Sequence, residues 1–142
     1  MRTLEFSITI NAPRTRVWQV LWQDETLRQW AGIIDPGTHM VGELKQGEEI
    51  QFISGNGYGV TSLVEAVMPN EKLVLRHKAD TAGGGTQTRD DQWSGGAESY
   101  DLTENEGLTT VTTRFDVPPE LEDYFNDTYP KALAKVQQLA ED

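Results

Sequence analysis

The sequence predicts an α+β fold: a curved antiparallel sheet wrapped around one long C-terminal helix, with two short helices after the first strand. Three observations predict it. Residues 118–142 place Leu121, Tyr124, Phe125, Tyr129, Ala132, Leu133, Val136, Leu139 and Ala140 at the three-and-four spacing of a single helical face. Residues 3–10 alternate strictly between apolar and polar, the period of a half-buried strand. Between these ends, strand-like runs are separated by short turn sequences, and strands joined by hairpins pair antiparallel.

The first strand puts Leu4, Phe6, Ile8 and Ile10 on one face and Thr3, Glu5, Ser7 and Thr9 on the other. Asn11 offers a cap ahead of Pro13, and Val17, Trp18, Leu21 and Trp22 form a helical stripe, which predicts a helix over 13–23. Asp24 offers a second cap, with Leu27 and Trp30 facing inward from another short helix. Over 31–47 the pattern is weak: Asp35, Pro36 and Gly37 make a turn and HMVGEL a brief strand.

Clearer strands follow. EEIQFIS sets Ile50 and Phe52 on one face; after the turn GNG, YGVTSLVEAVM sets Tyr58, Val60, Val64, Ala66 and Met68 together. Pro69, Asn70 and Glu71 turn the chain into KLVLRHK, where Leu73, Leu75 and His77 share a face. Residues 79–96, with Gly83, Gly84, Gly85, Gly95 and Gly96 among polar neighbours, read as a hairpin tip. AESYDLTEN and LTTVTTRFDV form the last two strands around Asn105, Glu106 and Gly107, the second carrying Val111, Phe115 and Val117 on one side.

A helix over 119–141 reaches about 35 Å at 1.5 Å per residue, against a radius of gyration near ~14 Å for a domain of this length. It therefore crosses the whole domain and must be cradled by most other elements. Acidic Glu120, Glu122 and Asp123 stand in its first turn and Lys131 and Lys135 in its later half, which suits the helix dipole. Pro130 lacks an N–H and leaves the Asn126 carbonyl without its helical partner, which predicts a kink. Such a bend either follows the curved sheet or opens space beneath the helix.

Composition bounds the function. The 142 residues are ample for one domain with a real core, expected over 1–142. No cysteine is present, so there is no disulfide framework and no thiol chemistry, and a reducing cytoplasm is the expected setting. The start MRTLEFSITI carries Glu5 and alternates, unlike a signal peptide or an anchor, and no stretch is long enough to span a membrane. Twelve Lys and Arg against 23 Asp and Glu give a formal charge of −11, which repels nucleic-acid phosphates and anionic lipid heads.

The segments INAPRTRVWQVLWQDETLRQW, VMPNEKLVL, YDLTENEGLTTVTTRFDVPPE and YPKALAKVQQLAE resemble the START-like, helix-grip (SRPBCC) proteins. Within them the chain is most similar to the branch named for activators of the heat-shock-protein-90 ATPase. The resemblance spans nearly the whole chain. It implies a sheet gripping the C-terminal helix, often with a hydrophobic cavity between the two. Members of this superfamily include lipid and hormone carriers, polyketide cyclases, the birch-pollen allergen group and co-chaperone domains, so the fold does not choose a function.

Each chemical signal has a plainer competitor. GNGYG at 55–59 is similar to a phosphate-cradling loop and to the glycine-rich loop of the allergen group, but no Lys-Ser/Thr pair and no helix follows it. A hairpin turn needing positive φ is the better account. His77 faces the core, and alternation turns Glu98, Tyr100 and Leu102 inward from the partner strand, which brings His77 near Glu98 or Tyr100. An acid/base pair or a ligand-orienting contact is one outcome; a histidine satisfied by one structural hydrogen bond is the plainer one, because buried polar groups are normally paired. His39 has no second ligand at metal spacing and receives no role. Asp90 and Asp91 read as a solvated pair, and the Asn126–Thr128 sequon falls inside a helix. No serine or cysteine nucleophile has a readable partner base.

In this fold a pocket is lined by the inner sheet face and the helix. The expected cavity residues are Phe52, Tyr58, His77, Glu98, Tyr100, Phe125 and Tyr129. The leading expectation is a non-catalytic carrier or sensor of a small hydrophobic molecule, without cofactor or metal. The alternatives are a co-chaperone-like module that stimulates a chaperone ATPase, and a cyclase-like enzyme using His77 with Glu98 in the same cavity.

Overall fold

The computed structural model describes residues 2–55, 57, 59–82, 87–88 and 96–142. In chain order the elements are β1 (Arg2–Ile10), α1 (Arg14–Trp22), α2 (Asp24–Ile34), β2 (His39–Val41), β3 (Glu49–Ile53), β4 (Gly59–Met68), β5 (Lys72–Ala82), β6 (Gln87–Thr88), β7 (Ala97–Asn105), β8 (Leu108–Val117), a 3-10 turn (Pro119–Leu121) and α3 (Glu122–Glu141). Among the described residues the strands form one antiparallel sheet in the order β1-β8-β7-β5-β4-β3-β2, and β6 pairs with β5. The result is the α+β helix-grip architecture: a curled sheet, two short helices after the first strand and a long closing helix.

The first and last strands meet in this sheet. β1 pairs with β8 in a register that sets Leu4 opposite Phe115, Phe6 opposite Thr113 and Ile8 opposite Val111. Side chains opposite one another share a face, so the alternating apolar residues of both strands line one surface. The helix α3 packs on β1, α1 and α2. It joins Leu4, Phe115 and Val117 through Tyr129 and Leu133, while Ala132, Val136 and Ala140 enter the main core with Leu21, Leu27, Trp30, Leu75 and Tyr100.

The helix starts differ in detail from the sequence reading. Pro13 occupies the cap position of α1 without a side-chain cap bond, while the Asn11 N–H donates to Glu141 Oε2 at 2.9 Å and ties the start of the chain to its end. Asp24 lies inside α2 rather than capping it, and its carboxylate pairs with Arg28 at 2.9 Å one turn later. Such a pair supports the helix locally. Pro130 lies within α3, preceded by Thr128, whose hydroxyl donates to the Tyr124 carbonyl at 2.9 Å.

Two irregularities between β4 and β5 change which side chains face inward. Val64 pairs with Leu75 and Ala66 with Val74, which leaves Glu65 as an extra residue. A bulge of this kind reverses the alternation beyond it. Val67 therefore packs against the core, and Met68, expected on the inner face, is 53% exposed. On the other strand, His77 pairs with Ser62 and Ala79 with Thr61, which leaves Lys78 extra. The hairpin between β7 and β8 turns on Glu106 and Gly107 at φ 54° and 80°, the positive-φ pair of a tight two-residue turn.

Candidate functional site

A cavity of about 220 Å³ lies between the inner sheet face and the helices α2 and α3. Six of the seven expected residues border it: Phe52, His77, Glu98, Tyr100, Phe125 and Tyr129. The seventh, Tyr58, lies outside the described residues. The residues are delivered by different strands, Phe52 from β3, His77 from β5 and the Glu98–Tyr100 pair from β7; the sheet order sets β7 beside β5 and β3 one strand further on, across β4.

Trp30 and Ile34 of α2 and Phe115 of β8 also border the cavity and were not among the expected site residues. Their signals were present: Trp30 and Ile34 are four residues apart on one helical face, and Phe115 shares the inward face of Val111 and Val117. What the sequence lacked was the position of α2 over the sheet.

A hydrogen-bonded chain runs along one wall. The Tyr100 hydroxyl donates to Glu98 Oε2 at 2.5 Å and lies 2.8 Å from the Tyr129 hydroxyl. With Glu98 ionised, the Tyr100 proton points to the carboxylate, so Tyr129 donates to Tyr100. The rings are fixed by packing: Trp22 meets Tyr100 edge-on at 4.9 Å, and Tyr129 stacks on Phe6 at 5.6 Å and contacts Phe115 at 4.5 Å.

Burial pushes the Glu98 carboxyl above the ordinary value, against the downward pull of the Tyr100 hydrogen bond. Glu98 is half-buried and borders the cavity. Burial, together with the neighbouring Glu98 charge, also pushes Tyr100 and Tyr129 well up. Both phenols therefore stay protonated and serve as donors.

His77 finds a different partner from either one expected. Its Nε2 lies 2.7 Å from Asp80 Oδ1, and both side chains are buried. In unbroken alternation residues 77 and 80 point to opposite faces; the extra residue Lys78 turns Asp80 to the side of His77. The hairpin register explains why Glu98 and Tyr100 are not its partners. Leu75 stands opposite Glu98 and Leu73 opposite Tyr100, whereas the His77 N–H donates to the Gly96 carbonyl. His77 and Glu98 border one cavity, but each has its own hydrogen-bond partner. Among the described residues no group of three or more His, Cys, Asp or Glu could hold a metal ion, and no helix is long and apolar enough to cross a membrane.

Solved structures share this architecture. The dimeric Aha1 of Colwellia psychrerythraea superposes with a TM-score of 0.75 at 22% identity, covering 99% of this chain and 97% of that one. A Mesorhizobium loti protein, MLL2253, gives 0.73 at 19% identity, with 97% and 96% covered. DynU16, from the dynemicin biosynthetic locus, gives 0.71 at 14% identity, with 96% of this chain and 46% of that one covered. Identities this low show the fold alone. No curated protein matches the sequence. Residues 11–125 match the family described as activator of Hsp90 ATPase homolog 1-like protein, and the chain belongs to that family.

Proposed function

We propose that this protein binds a small hydrophobic molecule in the space beneath α3, as a non-catalytic carrier or sensor. The observation that carries the reading is the cavity itself. Its walls are mainly apolar and aromatic, with a few polar groups converging along one side, the usual composition of a small-molecule site. An apolar cavity of about 150 Å³ suffices for benzene, so the space here takes a ring with a short chain. Burying about 200 Å² of apolar ligand surface contributes about 5 kcal/mol before the cost of association.

Native mass spectrometry and solvent extraction of protein purified from its own source are expected to reveal a bound molecule. The purified protein takes up a fluorescent hydrophobic probe, and Val60→Phe, which places a ring into the space Val60 now borders, abolishes uptake. An empty native protein that also takes up no probe refutes the reading.

Family membership supports a second reading, a module that stimulates a chaperone ATPase. It predicts that the protein raises ATP turnover by its cognate chaperone and that Val60→Phe leaves this effect intact. A cyclase-like enzyme has less support, since its pair, His77 with Glu98, is divided between separate partners.

A further inference from the structure

Among the described residues, the charged groups that line the cavity are of one sign. Among the described residues, the lining includes the carboxyl groups of Asp35, Glu98 and Asp116 and no lysine or arginine. The single imidazole on the wall, His77, is paired with Asp80. Asp116 is engaged at both oxygens, Oδ1 by the Thr3 hydroxyl at 2.7 Å and Oδ2 by the Ala97 N–H at 3.0 Å. Glu98 differs. Its Oε2 accepts from Tyr100, while Oε1 has no hydrogen-bond partner among the described residues and the side chain borders the cavity.

We infer that the ligand of this cavity is a small aromatic or alkyl amine, held by its ammonium group on Glu98 Oε1 with its apolar body against Phe52, Phe115, Phe125 and Tyr129. The inference rests on the binding reading above and specifies the chemistry it requires. An ionised carboxylate in a low-dielectric space attracts a cation more strongly than it would in water, and it rejects a ligand carboxylate. The aromatic walls add to this, since ring faces attract cations while covering the apolar remainder. The Tyr129–Tyr100–Glu98 chain holds the carboxylate in one orientation. Burial disfavours the charge on Glu98 more than the Tyr100 hydrogen bond favours it, and an ammonium partner on Oε1 supplies further compensation.

The test is a matched ligand series on the full chain: 2-phenylethylamine, 2-phenylethanol and phenylacetate, titrated by calorimetry or by ligand-observed NMR. The amine is expected to bind at least about tenfold more tightly than the alcohol, as charged hydrogen bonds exceed neutral ones, with phenylacetate weakest. In Glu98→Gln, checked for folding by near-ultraviolet circular dichroism, amine and alcohol are expected to bind within about twofold of each other. If the alcohol binds as well as the amine to the unmodified protein, the amine assignment is overturned while the cavity reading stands. If none of the three binds and the hydrophobic probe is also refused, the cavity reading fails first. An amine preference that survives Glu98→Gln and is lost instead in Asp116→Asn overturns the assignment of Glu98.

Discussion

Replacing Tyr100 by phenylalanine removes one oxygen from the cavity wall and keeps the ring. The residue is 1% exposed, and its edge contact with Trp22 at 4.9 Å survives the change, so the variant isolates the hydroxyl. That hydroxyl links the Glu98 carboxylate at 2.5 Å to Tyr129 at 2.8 Å. A hydrogen bond to a charged group contributes about 1.5–3 kcal/mol and a neutral one about 0.5–1.5 kcal/mol. The combined loss is about 2–4 kcal/mol, about 10 °C in Tm for a domain of this size.

The cost depends on pH with a definite sign. The Glu98 carboxyl is raised above its ordinary value of 4.5 by burial, and the Tyr100 hydrogen bond pulls it back down. The folded state therefore holds the Glu98 proton more tightly than the unfolded chain, and this group's contribution to stability falls as pH rises from 4.5 through the folded pKa. Without the Tyr100 hydroxyl the downward pull is gone and the fall extends to higher pH. Tyr100→Phe thus costs most above the folded pKa of Glu98. Below the ordinary carboxyl range, where Glu98 is protonated in both states, the cost shrinks towards ~1 kcal/mol. Urea unfolding followed by tryptophan fluorescence, from about pH 4 to about pH 8, measures this directly. In a Glu98→Gln background the pH-dependent part of the cost disappears. A cost below about 1 kcal/mol that is flat with pH, or one whose slope persists in Glu98→Gln, refutes the reasoning.

Two buried threonines make opposite predictions for the same substitution. Thr113 is fully buried and its hydroxyl has no partner among the described residues, so Thr113→Val raises stability by about 1 kcal/mol in the same urea assay. Thr109, equally buried, donates to the Ala12 carbonyl at 2.7 Å, and Thr109→Val lowers stability by about 1–2 kcal/mol because that carbonyl loses its donor. At Gly59 an added Cβ would stand 1.9 Å from the Phe52 carbonyl oxygen. Gly59→Ala therefore forces β3 and β4 apart and costs about 3 kcal/mol, read as a lower urea midpoint; an unchanged midpoint contradicts this packing.

Much of the fold was legible because its cues are local. Strict alternation over 3–10 needs only adjacent residues to be read, and it returns as the buried and exposed faces of β1. The helical stripe from Leu121 to Ala140 likewise becomes α3 and the turn that leads into it. The cavity residues were legible one step further, because inward alternation on β3, β5 and β7 and the α3 stripe must meet in an antiparallel sheet closed by a helix. Where alternation breaks, sequence reading stops. No residue type announces that Glu65 and Lys78 are the extra residues, so Met68 was placed inside and Asp80 was not connected with His77.

Sequence alone determined that this chain buries one face of a long helix against antiparallel strands, since hydrophobic period and turn chemistry are properties of neighbours along the chain. It also determined the acidic balance of 23 carboxylates against 12 cationic side chains. Only the tertiary structure decided how strands distant in sequence slide past one another. That register sets Gly96 rather than Glu98 against His77. It also leaves Glu98 to Tyr100, whose hydroxyl meets that of Tyr129 from 29 residues further along the chain. The physical reason is that register and bulges are chosen by how whole faces pack, a property of the assembled sheet and helix that no single segment carries.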